Sequence, residues 1–414
     1  MYSAIHQCRI CGNENLVQVL DLGEQTLTGV FPKHKDQVIT RGPLQLVKCT
    51  GDDDGCGLLQ LAHSYDLGEM YGDNYGYRSG LNPSMVKHLH AKVARILDTV
   101  DLSDQPIVLD IGSNDGTTLS AYPGERCTRV GIDPTSAKFR QYYPEDVVVI
   151  PDFFSARRFH EAFPGRQARV VTSFSMFYDL ERPMDFVREV AGILDDRGIW
   201  VFEQSYMPLM LERNSYDTAC HEHLEYYGLR QIDWMTRRCG LKIIDVEFND
   251  VNGGSFSVTA ARVDSAYPAS PAVQTILARE AELGLDTLVP YQAFAQRTAD
   301  SRDALRGFVA DARAAGRRVA FLGASTKGNV LLQYCGFTAD EIEAVGEVNP
   351  DKFGVFTPGT LLPIVDERQL LADEPDELIV LPWHFRDFFV EKYQLQKGRL
   401  VFPLPMLEVV EPSR

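Results

Sequence analysis

The sequence has little positive charge, and it contains no long apolar run. Its 414 residues carry 41 Lys and Arg against 58 Asp and Glu, for a formal net charge of −17. Because phosphate backbones are bound by clustered Lys and Arg, this balance argues against nucleic acid as a substrate, although it leaves room for one small anionic ligand. No apolar run approaches the roughly 20 residues of a membrane span, and the N-terminus lacks a basic stretch followed by an apolar one. We therefore expect a cytoplasmic protein that binds neither nucleic acid nor membranes.

Cysteine is scarce as well. Eight Cys in a cytoplasmic-looking chain of this length favour metal ligands or incidental thiols over a disulfide framework. Four of them lie as two pairs within the first 70 residues, and two pairs from different turns can close a tetrahedral site of four sulfurs that suits Zn²⁺. Such a site has no open coordination position, so the zinc would be structural; the alternative is four free buried thiols. The candidate ligands are Cys8, Cys11, Cys49 and Cys56.

Short apolar strands alternate with helical segments from Ile107 to about residue 265. This alternation predicts right-handed crossovers and a mostly parallel sheet. A second strand, turn and helix begin at Arg318 and predict another small α/β domain, and the Ala-rich stretch before it favours a helical connector. A chain of this length is expected to fold into two or three domains. We place the divisions at residues 1–70, 71–265, 266–315 and 316–414.

A turn that contains two glycines follows the first strand of the alternating region. Gly112 and Gly116 let the backbone approach a ligand, and the next helix offers its N-terminal amides. A phosphate-binding nucleotide fold would have a GKS or GxGxxG run at this place, and the chain has neither here. Asp110 precedes the first glycine, and Ser113 and Asn114 lie between the two. An acidic residue in this position points to S-adenosylmethionine, whose amino acid end carries a cation.

Polar residues also follow the next three strands in order. Asp133 lies about twenty residues downstream, where a carboxylate can accept hydrogen bonds from ribose hydroxyls. Asp152 and Phe153 follow the third strand and would bracket an adenine, and Ser173 ends the fourth strand near the expected sulfonium. Each alone could be an ordinary turn, but ligands of open α/β sheets bind at these carboxyl edges. The predicted fold is a class I, Rossmann-like methyltransferase domain between an N-terminal zinc module and a C-terminal Rossmann-like α/β domain.

The segment His221-Glu222-His223 is the most unusual part of the chain. One interpretation is a metal pair, although the spacing differs from the i, i+4 pair of a helical zinc site and a third ligand is not obvious. A second is a general base, because imidazole titrates near neutral pH and a neighbouring carboxylate can fix its tautomer. A third is a hydrogen-bonded structural cluster. Upstream, Tyr75 and Tyr77 would either donate from their phenols or pack at a domain junction.

Taken together, these motifs resemble the sugar C-methyltransferases that act on nucleotide-linked 4-keto-6-deoxyhexoses. The resemblance covers nearly the whole chain, and its most specific parts are the His-Glu-His segment and the C-terminal glycine segment. One departure is visible, because the family tends to have a histidine after the fourth strand where this chain has Met176-Phe177-Tyr178-Asp179. The motifs that carry the resemblance are the four cysteines, residues 110–116, 221–227, 252–255, 323–329 and 347–350.

The resemblance implies transfer of a methyl group from S-adenosylmethionine to C3 of a dTDP- or GDP-linked sugar, beside a C4 ketone, in branched deoxysugar biosynthesis. It implies that His223 is the base with Glu222 beside it, and we expect Tyr75 or Tyr77 to donate to the enolate oxygen. It also places the nucleotide sugar between the middle and C-terminal domains, on a substrate-binding set of Gly323, Ser325, Lys327, Asn329, Asn252 and Glu347.

Within that set, backbone amides at a helix N-terminus and the Lys327 ammonium would hold the diphosphate. The alternative is that the C-terminal domain has lost its ligand and only packs against the other domains. We expect a monomer, because three linked domains already bury their faces. Two other functions stay open: an O- or N-methyltransferase acting on another polar metabolite, and a non-catalytic scaffold that binds S-adenosylmethionine.

Overall fold

The computed structural model describes residues 1–51, 55–71, 78–393 and 398–411. Its N-terminal part is a small antiparallel sheet in which β3 lies between β2 and β4, and β1 pairs with β5 beside it. The four cysteines flank these strands, since Cys8 and Cys11 precede β2, Cys49 ends β3 and Cys56 precedes β4. The elements are β1 (Tyr2–Ala4), β2 (Leu16–Thr26), β3 (Arg41–Cys49), β4 (Leu59–Leu61), β5 (His63–Tyr65) and α1 (Leu67–Tyr71).

A seven-stranded sheet forms the middle part. Its strand order is β12-β13-β10-β9-β6-β7-β8, with β6 to β10 parallel and β13 antiparallel to both of its neighbours. This is the class I methyltransferase arrangement that the strand pattern predicts. The elements are α2 (Pro83–Thr99), β6 (Ile107–Ile111), α3 (Thr117–Ser120), β7 (Thr128–Ile132), α4 (Ser136–Phe139), β8 (Val148–Ile150), α5 (Ala156–Ala162), β9 (Ala168–Phe174), α6 (Pro183–Ile193), β10 (Leu194–Ser205), α7 (Met207–Glu212), β11 (Glu225–Tyr226), α8 (Leu229–Arg238), β12 (Leu241–Asn249) and β13 (Ser255–Arg262).

Two helices lead to a second α/β unit at the C-terminal end. Its six strands run in the order β16-β15-β14-β17-β18-β19, and all are parallel except β19. None of the helices in the described ranges combines the length and the apolar character needed to cross a bilayer. The elements are α9 (Pro271–Glu282), α10 (Val289–Ala314), β14 (Val319–Leu322), α11 (Thr326–Cys335), β15 (Val345–Glu347), β16 (Ile364–Asp366), α12 (Glu367–Ala372), β17 (Glu377–Val380), α13 (Arg386–Lys392), β18 (Arg399–Phe402) and β19 (Glu408–Val410).

The three parts share buried surfaces. The short strand β11 leaves the middle part and pairs with β4, so it completes the N-terminal sheet. Leu46 of that sheet, Tyr291 of the connector and Val330 of the C-terminal unit belong to one buried apolar cluster. Residues 216–227, which lead into and include β11, are therefore surrounded by all three parts. The exact division of the chain into 1–70, 71–265, 266–315 and 316–414 stays a prediction.

Candidate active site

The four cysteines near the N-terminus converge on one point. All four Sγ atoms lie within 4.8 Å of one another, with 3.4 Å between those of Cys8 and Cys56 and 3.6 Å between those of Cys11 and Cys49. None forms a disulfide. Zinc–sulfur bonds of about 2.3 Å in a tetrahedron place sulfurs about 3.8 Å apart, so the cluster is nearly at the size that the ion requires. Four thiolates fill the coordination sphere and leave no place for a substrate, which makes this a structural site.

A buried cation lies beside the sulfur cluster. The Lys48 ammonium donates to the Gly57 carbonyl at 2.7 Å and lies 4.9 Å from the centre of the Tyr291 ring. Burial lowers the pKa of Lys48 to about 8, although the nearby Cys56 and Cys49 act in the opposite direction and raise it. Since four thiolates on Zn²⁺ leave two negative charges, a nearby ammonium compensates part of the excess.

The glycine turn after β6 is closed by hydrogen bonds to neighbouring strands and loops. Gly112 and Gly116 have φ angles of 70° and 78°, which only glycine adopts readily. The backbone amide of Asn114 donates to the Asp133 carboxylate at 2.9 Å, so the two predicted cofactor residues are adjacent. Residue Tyr143, which sequence reasoning missed, lies under the turn: an added Cβ at Gly116 would be 2.6 Å from its ring.

The Tyr143 hydroxyl also explains how the turn holds its shape. It donates to the Asn114 carbonyl and lies 2.8 Å from the Ser113 hydroxyl. From the other side, the Ser79 amide donates to the Asn114 side chain at 3.0 Å. The segment before α2 therefore covers the turn. The predicted phenol donors Tyr75 and Tyr77, immediately before this segment, lie outside the described residues.

The other predicted cofactor residues occupy different environments. Asp110 is fully buried and accepts a hydrogen bond from Thr172 at 2.5 Å, and burial raises its pKa to about 7. Ser173 is fully buried too, and its hydroxyl accepts from the Trp200 indole at 3.0 Å. Any contact of Ser173 with a cofactor would therefore have to come from its backbone.

At the end of β8 the side chains are more open. Asp152 forms an ion pair with Arg158 at 2.7 Å, and Phe153 is 59% exposed. An exposed aromatic ring at the end of β8, on the same side of the sheet as the carboxyl end of β6, is available to cover a flat ligand such as adenine. The roles predicted for Asp152 and Phe153 stay predictions.

The three members of the His-Glu-His segment point to three different places. His221 is fully buried against the Tyr65 ring, 4.6 Å between ring centres, on the side of the N-terminal sheet. Burial lowers the pKa of His221 to about 3. Glu222 turns toward Thr28, whose hydroxyl is 3.4 Å from the carboxylate. His221 and His223 have different surroundings, and the cysteine site is the only group of three or more metal-ligating side chains found among the described residues.

His223 has the environment of a base. Its Nδ1 donates to the Thr218 carbonyl at 2.9 Å, and its ring meets the Tyr178 ring edge-on at 4.4 Å. The expectation that Glu222 orients His223 is wrong, because the acceptor at Nδ1 is this carbonyl. Burial, and then the nearby Lys327 ammonium, lower the pKa of His223 to about 4. The imidazole is therefore neutral at pH 7, with its proton on Nδ1 and a lone pair on Nε2.

The C-terminal glycine segment brings the Lys327 ammonium close enough to His223 to lower the pKa of its imidazole. Gly323 has a φ of 87°, and an added Cβ there would lie 2.5 Å from the Pro382 ring, so the turn requires glycine. Ser325 caps α11 by accepting from the Gly328 amide at 3.0 Å. The Lys327 ammonium donates to the Asn252 carbonyl at 2.7 Å, across the boundary between the middle and C-terminal parts.

Two further predicted substrate residues hold this segment in place. Glu347 accepts from the Ala324 amide at 3.0 Å, and the Asn329 side chain donates to the Thr28 carbonyl at 2.8 Å. In this structure Glu347 and Asn329 thus bind the chain itself. Contact of either residue with a substrate stays a prediction.

Three residues near His223 were not foreseen. They are Asp217, Trp383 and His384. Asp217 is buried and its carboxylate accepts a hydrogen bond from the Trp383 indole at 2.9 Å, and His384 is the residue after Trp383. Burial, and then Lys327, lower the pKa of His384 to about 3, and Lys327 also attracts the Asp217 carboxylate. Trp383 and His384 come just after β17, at the carboxyl edge of a parallel strand, and that position is the signal that could have found them.

Comparisons with known proteins identify the chain's relatives. Three family models match in succession: "Putative zinc binding domain" over residues 8–71, "Methyltransferase domain" over 85–246 and "C-methyltransferase C-terminal domain" over 250–405. C-methyltransferase NovU of Streptomyces niveus is 30% identical over 98% of this chain and 97% of its own length. The chain belongs to the C-methyltransferase family.

Membership fixes the general chemistry of this C-methyltransferase. Its methyl donor is S-adenosylmethionine and its N-terminal module is a zinc-binding domain. Solved structures resemble only part of the chain. The CcbJ methyltransferase of Streptomyces caelestis has 12% identity and a TM-score of 0.35, over 48% of this chain and 96% of its own. Magnesium protoporphyrin IX methyltransferase of Synechocystis PCC 6803, solved with its donor, has 13% identity and a TM-score of 0.33, over 46% and 87%.

Proposed function

We propose that this C-methyltransferase methylates C3 of a nucleotide-linked 4-keto-6-deoxyhexose, with His223 as the base that removes the C3 proton. The single observation that carries the proposal is the neutral, oriented imidazole of His223. Its Nδ1 proton is engaged by the Thr218 carbonyl, so only Nε2 can accept a proton. Methylation on carbon requires removal of a proton from that carbon, and a neutral imidazole with a fixed, unprotonated Nε2 is available to accept it.

The substrate must be a carbon acid. A hydrogen beside a ketone becomes removable only because the charge that remains moves onto the carbonyl oxygen. When bound, S-adenosylmethionine supplies an electrophilic methyl group on a sulfonium. His223 would take the proton at Nε2, and the Lys327 ammonium, close enough to lower the pKa of that imidazole, would favour negative charge arising nearby.

The low pKa of His223 has a cost, because a weak base removes a proton slowly. Formation of an enolate beside the new imidazolium offsets this cost, since the opposite charges attract in a site from which water is excluded. The negative enolate therefore stabilises the imidazolium of His223 and raises its pKa as the proton is transferred.

A nucleotide diphosphate would lie where the middle and C-terminal parts meet. The candidate residues for it are at the start of α11, where Ser325 caps the helix and Lys327 bridges to Asn252. We propose that the nucleotide is thymidine diphosphate or guanosine diphosphate. The methylated product would serve branched deoxysugar biosynthesis. The protein is proposed to act as a monomer.

The test is methyl transfer from S-adenosylmethionine labelled with ¹³C in its methyl group. The thymidine diphosphate and guanosine diphosphate esters of 4-keto-6-deoxyhexoses serve as substrates, and NMR locates the new methyl. We expect it on C3 in one of the two, and His223→Asn should lower kcat by about 10²–10⁴-fold without weakening S-adenosylhomocysteine binding. The exposed His160→Asn is the matched control and should have normal turnover. A methyl on oxygen or nitrogen, or normal turnover in His223→Asn, would overturn the proposal.

A further inference from the structure

The orientation of His223 depends on one turn. The Thr218 carbonyl that accepts from Nδ1 belongs to a single 3₁₀ turn, Tyr216–Thr218, between α7 and β11. Its backbone bonds are local: the Thr218 amide donates to Ser215 and the Ala219 amide to Tyr216. A turn of three residues with local hydrogen bonds has little rigidity of its own. Its position must come from the residues packed around it.

The C-terminal part supplies that packing. The Trp383 indole donates to Asp217 Oδ2 at 2.9 Å, and both side chains are buried. The ring of Tyr216 meets the Tyr334 ring of α11 edge-on at 5.6 Å. Asp217 thus lies in the middle of the turn and is held from the C-terminal side. A buried indole bonded to a carboxylate makes a strong, directional contact, because the acceptor can carry charge and both groups have lost water.

We propose that Asp217 and Trp383 are positioning residues for the base: the indole, through the Asp217 carboxylate, holds the Tyr216–Thr218 turn in the place where the Thr218 carbonyl sets the tautomer and direction of His223. The proposal rests on the proposed function, in which His223 is the base. It gives the C-terminal part a role in proton removal that is separate from any contact with the substrate.

The physical consequence is specific. If the indole no longer holds Asp217, the turn shifts, and the Thr218 carbonyl no longer faces Nδ1 well. The imidazole then exchanges between its two tautomers and rotates, so Nε2 carries the lone pair for only part of the time. A base that is correctly placed for a smaller fraction of the time slows proton removal, whereas donor binding at the glycine turn, which is held by Asp133, Tyr143 and Ser79, is not affected.

The first test needs no substrate. Two-bond ¹H–¹⁵N spectra of the whole protein labelled at histidine report which ring nitrogen of His223 carries the proton, with His223→Asn assigning the signal. We expect the Nδ1 proton alone in the wild type and a mixture of tautomers in Trp383→Phe and Asp217→Ala. Asp217→Asn keeps an acceptor oxygen and should restore the single tautomer. An unchanged tautomer in Trp383→Phe and Asp217→Ala, or a mixture in Asp217→Asn, would overturn the proposal.

The second test measures proton removal without methyl transfer. With S-adenosylhomocysteine in place of the donor, deuterium from the solvent should enter C3, beside the C4 ketone, of the nucleotide-linked 4-keto-6-deoxyhexose that the enzyme methylates. The exchange rate should fall about 10- to 100-fold in Trp383→Phe and Asp217→Ala, and less than threefold in Asp217→Asn. Ile379→Val, which loosens the core of the same part at β17, should lower the melting temperature and leave exchange unchanged.

The two proposals fail in different ways. If His223→Asn still exchanges deuterium, His223 is not the base and the proposed function fails. If His223→Asn abolishes exchange while Trp383→Phe and Asp217→Ala exchange at the wild-type rate, the base assignment stands and the positioning role is overturned. A loss in Ile379→Val as large as in Trp383→Phe would also overturn it, because general loosening would then suffice.

Discussion

Replacement of Gly29 by alanine tests whether the zinc module forms a wall of the catalytic segment. Gly29 follows β2, and its backbone touches Glu222, next to the proposed base. An added Cβ would lie 2.2 Å from Glu222 Oε1, whereas real Cβ contacts are essentially never under 3.0 Å. The carboxylate would have to move by about 0.8 Å, from 2.2 to 3.0 Å, and further to reach an ordinary contact.

The carboxylate is held by hydrogen bonds where it lies. Burial raises the pKa of Glu222, whereas hydrogen bonds from the Thr28 hydroxyl and the Gly29 backbone amide lower it. A shift of the carboxylate would weaken these hydrogen bonds. Glu222 precedes His223 in the chain, so a shift that reaches its backbone also moves the base, and a misplacement of about 1 Å can cost about 10²-fold in rate. Overpacking of a buried site typically costs about 1–3 kcal/mol of stability. We therefore expect Gly29→Ala to lower kcat by up to about 10²-fold and to unfold at a lower temperature.

The assay combines kcat, calorimetric binding of S-adenosylhomocysteine and thermal unfolding. Donor binding should stay normal, because the glycine turn after β6 does not touch Gly29. The matched control is Gly307→Ala, at an exposed position of α10 where an added Cβ meets nothing within 4 Å. It should stabilise the helix by about 0.5–1 kcal/mol and leave kcat unchanged. Wild-type kcat in Gly29→Ala would refute the reasoning, as would an equal loss in Gly307→Ala.

Three further predictions concern the base, the donor site and the zinc site. Because burial lowers the pKa of His223 to about 4 and its neutral form is the base, activity should persist below pH 6.5 and fall only toward pH 4; an acid limb of kcat/KM above pH 6.5 would contradict this. Gly116→Ala adds a Cβ 2.6 Å from the Tyr143 ring at a φ of 78°, where alanine costs about 1–2 kcal/mol, so calorimetry should show at least about tenfold weaker S-adenosylhomocysteine binding. Unchanged affinity would show that the turn tolerates a side chain. Lys48→Met removes the ammonium beside the thiolates and should weaken zinc by about 10- to 100-fold in chelator competition, and equal affinity would remove its compensating role.

Much of the fold is visible in the sequence because its signals are local. The parallel strands are buried on both faces and therefore appear as short continuous apolar runs, as at β6 and β14. Helix α2 is predicted from Pro83 and the spacing of its apolar residues, and it begins at that proline. The pairing of β11 with β4 has no such signal, because a strand of two residues leaves no periodicity and its partner is about 165 residues away.

The same distinction applies to the site. The four cysteines and the glycine turn are recognisable by spacing, and the structure brings each set together. The orientation of His223 is not recognisable, since the obvious partner in sequence is Glu222 and the actual acceptor is the Thr218 carbonyl. Every residue has a backbone carbonyl, so a sequence motif cannot identify the one that binds the imidazole. Trp383 reaches the site only through tertiary packing, 166 positions from the carboxylate it binds.

The contacts around His223 also bear on why the three parts form one chain. The N-terminal module reaches the catalytic segment through Thr28, the middle part supplies the Thr218 carbonyl, and the C-terminal part holds Asp217 through Trp383. The donor turn, in contrast, is built almost entirely from the middle part. Under the proposed mechanism, binding of the donor therefore needs one domain, whereas an oriented base needs the middle and C-terminal parts, and the N-terminal module packs against Glu222, the residue next to the base. An imidazole left unoriented until the parts have docked cannot remove a proton effectively, so assembly and chemical competence are coupled by geometry.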